Sequence, residues 1–355
     1  MEKKMQKIVV AMSGGIDSSV AAYLLKKEGW DVIGVTMKLW EDCSKCCLPN
    51  NIRKAKKVAE KLNIPHYMVD FRKELKKEVI EYFLDEYTKG RTPNPCCVCN
   101  KALKFGLLLN EVRKLGANYI ATGHYAKVEY NQDKKRWLLK EGEDKNKDQS
   151  YFLALLSQEQ ISKAIFPLGK YRKEKVRGIA KDIGLKMAER ESEEVCFIPD
   201  GDILNFVKKS KLDVKEGLIV DKEGNILGRH NGIAGYTIGQ RRGVGIAVGK
   251  PVYVIGLDAA SNTITVGKNE DLYKRKFIAE GLNLVSIPKI DLKLKCLVKI
   301  RYKHKKTAAS IEVIDKDKVF VEFERLQRAI TPGQLAVFYE EDKVLGSAWI
   351  KKIIS

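Results

Sequence analysis

Residues 13–19 read SGGIDSS. They stand between the apolar run KIVVAM (7–12) and a segment, Ser18 to Lys27, in which Val20, Ala21, Leu24 and Leu25 recur at helical spacing. A buried strand, a glycine turn and an amphipathic helix in that order open a parallel α/β unit. The paired glycines let backbone approach a phosphate closely. The following helix N-terminus offers unpaired N–H groups at the positive end of its dipole. Ser13, Ser18 and Ser19 add hydroxyl donors. Asp17 sits oddly in a pure anion cradle, because it repels phosphate unless a cation lies between them. Mg²⁺ carried by pyrophosphate is the natural partner. The stretch lacks the Gly-Lys-Ser/Thr ending of a Walker A loop, and its glycine spacing is wrong for a dinucleotide fingerprint. An ordinary capped turn is the plain alternative, but strand, motif and helix together speak against it.

The same alternation continues. DVIGVTMKLW (31–40), HYMVDF (66–71) and NYIATGHY (118–125) read as strands. Helices are predicted over 52–62, 74–88, 101–115, 158–165 and 173–183. This pattern predicts an α/β fold with a parallel sheet and helices on both faces. Residues 126–142 read as a hairpin on its rim. Near residue 200 the chain turns to short strands and dense turns, among them GRHNG (228–232) and GQRRGVG (239–245). From about 276 it is plain β, and LKCLVKIRY, TAASIEVI, KVFVEFE and LAVFYE suggest a small barrel. Three domains are expected: a parallel-sheet catalytic domain over 1–202, a central β-rich domain over 203–275 and a C-terminal β-barrel over 276–355.

Lys and Arg number 66 against 46 Asp and Glu, a formal net charge of +20. So basic a chain points to a polyanion, nucleic acid first; a Lys-rich surface serving solubility or heat tolerance is the alternative. No apolar run is long enough to cross a bilayer, and IVVAM is too short for a secretory core, so a cytoplasmic location is expected. Thiols stay reduced there, and eight cysteines then argue for catalysis or metal binding rather than structural disulfides. They cluster as Cys43, Cys46 and Cys47, then Cys96, Cys97 and Cys99, with Cys196 and Cys296 alone.

SGGIDSS in this setting resembles the loop of the PP-loop ATP pyrophosphatases, which cleave ATP between the α and β phosphates and adenylate a carbonyl-type oxygen. GRTPNPCCVCNKALKFG (90–106), ATGHY (121–125), KDQSYFL (147–153), EEVCFIPDG (193–201), GQRRGVGI (239–246), IRY (300–302) and TPGQ (331–334) follow in order. Together they resemble the bacterial tRNA-specific 2-thiouridylases, from about residue 6 to residue 350. The resemblance implies replacement by sulfur of O2 of the wobble uridine in tRNAs for Lys, Glu and Gln, with ATP and Mg²⁺.

It also implies roles for residues. Cys196 carries a persulfide and Cys99 is the catalytic thiol, with a Cys99–Cys196 disulfide as an end state. Ala11, Met12, Ser13, Gly14, Gly15, Ile16, Asp17 and Ser18 line the ATP phosphates, and Met37 and Gly123 touch the adenosine. Asn94, Pro95 and Cys96 hold the flipped base. His124, Lys147, Asp148, Gln149, Arg301, Tyr302 and Gln334 contact tRNA. A sulfur donor protein is an expected partner, and a monomer is the expected state.

This chain departs from the family at Cys96, where Asp is usual. The substitution opens a second route, a [4Fe–4S] cluster on Cys96, Cys99 and Cys196 with one iron free for hydrosulfide. Structural zinc on the pairs Cys43/Cys46 and Cys96/Cys99 is a third. A PP-loop synthetase acting on a small metabolite and a non-catalytic RNA-binding module are the rival functions. The loops at 43–50 and 90–100 are expected to be mobile lids.

Overall fold

The computed structural model describes residues 6–40, 49–185, 195–198, 201–210, 212, 214–246 and 249–354, with 49 and 50 in backbone only. Cys43, Cys46 and Cys47, and with them the zinc reading, lie outside the described residues.

The first domain holds β1 (Lys7–Ala11), β2 (Asp31–Lys38), β3 (His66–Asp70), β4 (Tyr119–Ala121), a hairpin of β5 (Ala126–Asn131) and β6 (Arg136–Glu141), and β7 (Ala164–Ile165). Five of them form a parallel sheet in the order β3-β2-β1-β4-β7. Ile8, Val9 and Val10 are fully buried, as expected of a central strand covered on both faces. β1 lies between β2 and β4, so the chain order reverses there. Loops leaving the carboxyl ends of β1 and β4 meet at that switch point, the place where open α/β sheets bind ligands. The loop after β1 is SGGIDSS and the loop after β4 is TGHY. The strand predicted over 118–125 is shorter because Thr122–Tyr125 leave the sheet to cross the helix that follows SGGIDSS.

That helix, α1, spans Ile16–Lys27. The helix expected from Lys101 begins earlier. Pro95–Cys99 is α-helical, Asn100–Leu107 is wound as a π-helix, and Leu108–Lys114 is α-helical again. Cys96, Cys97 and Cys99 therefore ride on a helical first turn rather than on a loop. The Asn94-Pro95 pair is the signal, since proline fits a helix's first position, where its missing N–H costs nothing.

The central domain is a four-stranded sheet of β8 (Gly217–Val220), β9 (Ile226–His230), β10 (Tyr253–Asp258) and β11 (Thr263–Gly267), in the order β10-β11-β8-β9. It has its own core of Ile219, Val254, Ile264 and Val266. The last six strands are β12 (Tyr273–Leu284), β13 (Lys293–Lys299), β14 (Thr307–Val313), β15 (Lys318–Arg328), β16 (Leu335–Glu340) and β17 (Lys343–Ile354). β12 pairs with both β15 and β17, which closes a six-stranded barrel.

The hairpin is not on the rim of the parallel sheet. β6 pairs with β17, so β6 and β5 extend the barrel's sheet. Buried Leu138 and Leu139 need that cover. Arg136 donates to the carbonyls of Val285 at 2.8 Å and Leu284 at 2.9 Å, and Leu139 N–H donates to Ser286 Oγ at 3.1 Å. One hydrophobic core accordingly contains Val9, Phe83, Leu103 and Tyr151 of the first domain with Leu335, Val337, Tyr339 and Val344 of the barrel. Alternation alone recognises a hairpin but cannot say which sheet it joins.

Candidate active site

The glycine loop is built without room for a side chain. Gly14 has φ +75°, and a Cβ there would stand 2.3 Å from the Asn51 carbonyl oxygen. Ser18 and Ser19 both donate to the Gly15 carbonyl, at 3.2 and 2.8 Å, and Ser18 Oγ also accepts from Ser13 N–H at 3.2 Å. These two hydroxyls, expected to face phosphate, instead brace the loop from beneath. Gly123 lies against the first turn of α1: a Cβ would come within 2.8 Å of the Asp17 carbonyl carbon and the Ser18 nitrogen. Ala11 ends β1, buried Met12 follows it with its N–H donating to the Val35 carbonyl at 2.8 Å, Ile16 packs with the α1 cluster, and Met37 is half-buried against the main core.

Asp17 has partners that sequence spacing hides. Lys173, 156 residues away, donates to both carboxylate oxygens at 2.8 and 2.7 Å. Tyr125 Oη donates to Oδ1 at 2.8 Å. A protein ammonium thus faces Asp17. Any magnesium would enter on the polyphosphate and find Asp17 as the carboxylate of this loop, its chemistry there being to draw charge from the leaving pyrophosphate.

Four thiols differ in their surroundings. Cys97 is fully buried in the core, its Sγ 4.0 Å from the Tyr151 carbonyl oxygen. Cys99 is 9% exposed and belongs to the same core, against which Cys196 packs half-buried. Cys196 is held by its neighbour: the Phe197 ring stands perpendicular to Phe83 at 5.2 Å and tilts on Phe206 at 5.4 Å. Cys96 is exposed. Desolvation, then the nearby Cys196, push its thiol up to about 11, and Lys104 opposes them. No disulfide joins Cys96, Cys97, Cys99, Cys196 or Cys296. Among the described residues no three His, Cys, Asp or Glu side chains gather to hold a metal. Cys96, Cys99 and Cys196 therefore do not assemble a cluster site as they stand.

The remaining residues fall into two groups. Near the glycine loop, His124 sits beside Phe105 and Phe166, with Nδ1 2.6 Å from Thr122 Oγ1. Burial, helped by the charge of Lys104, holds its pKa well below the ordinary range, so the imidazole is neutral. Gln149 clasps Tyr125 through both backbone groups, at 2.9 and 3.1 Å. Asp148 is 3% exposed and accepts from Gly142 N–H, Ser150 N–H and Ser150 Oγ. Lys147 beside it is half-buried. At the barrel junction, Tyr302 stacks on Phe152 with ring centroids 4.5 Å apart, and Arg301 donates to the carbonyls of Arg328 and Ala329. Gln334 donates to the Thr92 carbonyl, Thr92 N–H donates to Pro332, and the Thr92 and Thr237 hydroxyls bond to each other. The 90–100 segment, expected as a lid, is thus tied to both other domains and then helical. Asn94 bonds the Tyr151 phenol, and Pro95 is buried.

Family models match the whole architecture in order. They are described as a tRNA methyl transferase HUP domain over 6–200, a tRNA methyl transferase PRC-barrel domain over 205–268 and an aminomethyltransferase beta-barrel domain over 274–350. The chain is 51% identical over 356 residues to tRNA-specific 2-thiouridylase MnmA 1 of Caldanaerobacter subterraneus subsp. tengcongensis, covering 98% of each. The chain belongs to the tRNA-specific 2-thiouridylase MnmA family. A second relative, the tRNA-specific 2-thiouridylase MnmA of Clostridioides difficile, is 47% identical with 98% of each covered. Within this MnmA fold, Lys173 is a site neighbour outside every motif, while Tyr125 and Tyr151 sit in the ATGHY and KDQSYFL motifs without an assigned role. Each acts on a motif residue through a contact made only by the tertiary fold.

Proposed function

We propose that this chain thiolates tRNA at C2 of the wobble uridine in tRNAs for Lys, Glu and Gln, using ATP. The observation that carries the reading is the phosphate loop at the sheet's switch point, with the Cys96–Cys99 helical turn and Cys196 against one shared core beside it. Full-length likeness to the MnmA enzymes supports it.

The chemistry runs in two displacements. Uracil O2 attacks the α-phosphorus of ATP, the bond to the bridging oxygen breaks, and pyrophosphate leaves. Cys99 thiolate then attacks the inner sulfur of a Cys196 persulfide. This forms a Cys99–Cys196 disulfide and frees hydrosulfide, which adds to C2 as AMP departs. A thiol reductant restores both cysteines, and a sulfur donor protein reloads Cys196. The glycine loop and the α1 N-terminus bind the phosphates. Asn94, Pro95 and Cys96 receive the base. His124, Lys147, Gln149, Arg301, Tyr302 and Gln334 meet the RNA, and Asp148 shapes their loop from inside. A basic chain of +20 suits this substrate. Domain limits at 202 and 275, a cytoplasmic location and a monomeric state complete the proposal.

The test incubates the protein with unmodified tRNA, ATP, Mg²⁺ and a sulfur donor under reducing, iron-replete conditions, then digests the tRNA for mass analysis. A nucleoside carrying 2-thiouridine, with AMP formed, is expected. Absence of thiolated nucleoside would sink the reading.

A further inference from the structure

Lys173 is a lysine in an unusual place. Its residue is 7% exposed, and its ammonium bonds both oxygens of Asp17, whose side chain is 34% exposed at the mouth of the phosphate loop. A surface ion pair needs no such burial, and a buried one is costly to desolvate unless its geometry is good and its atoms are otherwise bonded. Here the geometry is two-pronged, Tyr125 Oη supplies a further donor to Oδ1, and the ammonium lies 5.7 Å from the Tyr125 ring centroid.

The pair is also held from behind. Lys173 opens the helix Lys173–Asp182, and its N–H donates to Asp144 Oδ2 at 3.0 Å. Tyr125 is clasped by Gln149. Both partners of Asp17 thus hang from the 144–149 segment. A carboxylate at this loop would repel an incoming triphosphate, and the repulsion is strong where water is displaced. Placing an opposite charge in contact with it removes that penalty while the carboxylate stays in position.

We propose that Lys173 is a positioning residue of the nucleotide site: it neutralises Asp17, fixes its rotamer with Tyr125, and so makes the glycine loop able to accept the ATP polyphosphate. The inference rests on the reading of this loop as an ATP site, and it assigns a role to a residue outside every motif used above.

The test measures equilibrium binding of α,β-methylene-ATP, which cannot be cleaved at the α–β bridge, alongside tRNA binding, in the full chain. Lys173→Met is expected to weaken nucleotide binding by about tenfold or more with tRNA affinity unchanged. Lys173→Arg keeps the charge and is expected to stay within about threefold of the parent. Lys173→Gln can still donate a hydrogen bond to Asp17 but carries no charge, and it is expected to weaken nucleotide binding as much as Lys173→Met, which a merely structural lysine would not do. Lys173→Gln keeps a polar partner on the carboxylate, so it serves if Lys173→Met alone fails to fold; it should then bind about tenfold or more weaker than the parent. Parent-like binding by Lys173→Met or by Lys173→Gln, or a folded Lys173→Arg as weak as either, overturns the proposal. A parent that binds the nucleotide but forms no 2-thiouridine defeats the thiolation reading and leaves this one standing. A parent that binds no nucleotide defeats both.

Discussion

The side-chain amide of Gln334 donates to the carbonyl oxygen of Thr92 at 2.9 Å, linking positions 242 residues apart. This bond ties the barrel to the strip that leads into Asn94, Pro95 and Cys96. Gln334→Ala is expected to cost about 1 kcal/mol of stability, the usual worth of one such bond. It should also weaken tRNA binding more than ATP binding. Denaturant melts and parallel affinity measurements check both.

Gly14→Ala places a methyl group where 2.3 Å separates it from the Asn51 carbonyl, at a φ of +75° that side chains rarely adopt. Loop and neighbouring helix must shift together. ATP-dependent AMP formation should fall by about a hundredfold or more, with tRNA affinity held within about threefold. Gel-shift titration and nucleotide analysis separate the two effects.

Cys99→Ser and Cys196→Ser should each abolish 2-thiouridine while leaving tRNA binding intact, because a serine hydroxyl can neither carry nor reduce a persulfide. Normal thiolation by either variant would remove that cysteine from the proposed relay.

Cys96 is exposed, yet its thiol is pushed up to about 11 by desolvation and by Cys196. Iodoacetamide should label it slowly at pH 7.5, and faster by about tenfold per pH unit toward 11. The sign for folding follows. A thiol held above its ordinary value of 9.0 favours the native state fully below pH 9 and loses that contribution as pH rises through about 11. Peptide mass mapping and melts across that window are the readouts.

His304 runs the other way. Burial, then the Arg301 charge, lower it from 6.5 to about 4, while its Nε2 bonds Gln327 Oε1 at 3.1 Å. The contribution is present above pH 6.5 and is lost as pH falls through about 4. His304→Asn should flatten the decline in stability over that interval, even if it lowers stability at pH 7.

The parallel sheet and the phosphate loop were legible because both are local: an apolar run, a glycine pair and a helical period lie next to one another. The cysteine cluster was legible as a site but not as a helix, since its helical period becomes clear only from Lys101, although Asn94-Pro95 already suits a helix start. Lys173 left no trace at all. It is one lysine among many in a basic chain, and only the packing of its helix on α1 brings it to Asp17. The hairpin was recognised by alternation but assigned to the wrong sheet, because pairing between β6 and β17 depends on how two domains dock. Asp148 and Gln149 sit in a motif, but only the fold reveals that one is a buried acceptor and the other a clasp on Tyr125.

The pairing of β6 with β17 sets a schedule for biosynthesis. A nascent chain makes Lys140 early and Lys343 late, yet the two stand opposite each other in one sheet. Until the barrel's last strand leaves the ribosome, Leu139 and the faces of Phe83 and Tyr151 lack the Val337, Tyr339 and Val344 that cover them. Chains released before that point carry an open strand edge and a wet apolar seam, the features that chaperones and proteases select. Premature stops near the 3′ end of the message should therefore yield aggregates rather than half-active enzyme.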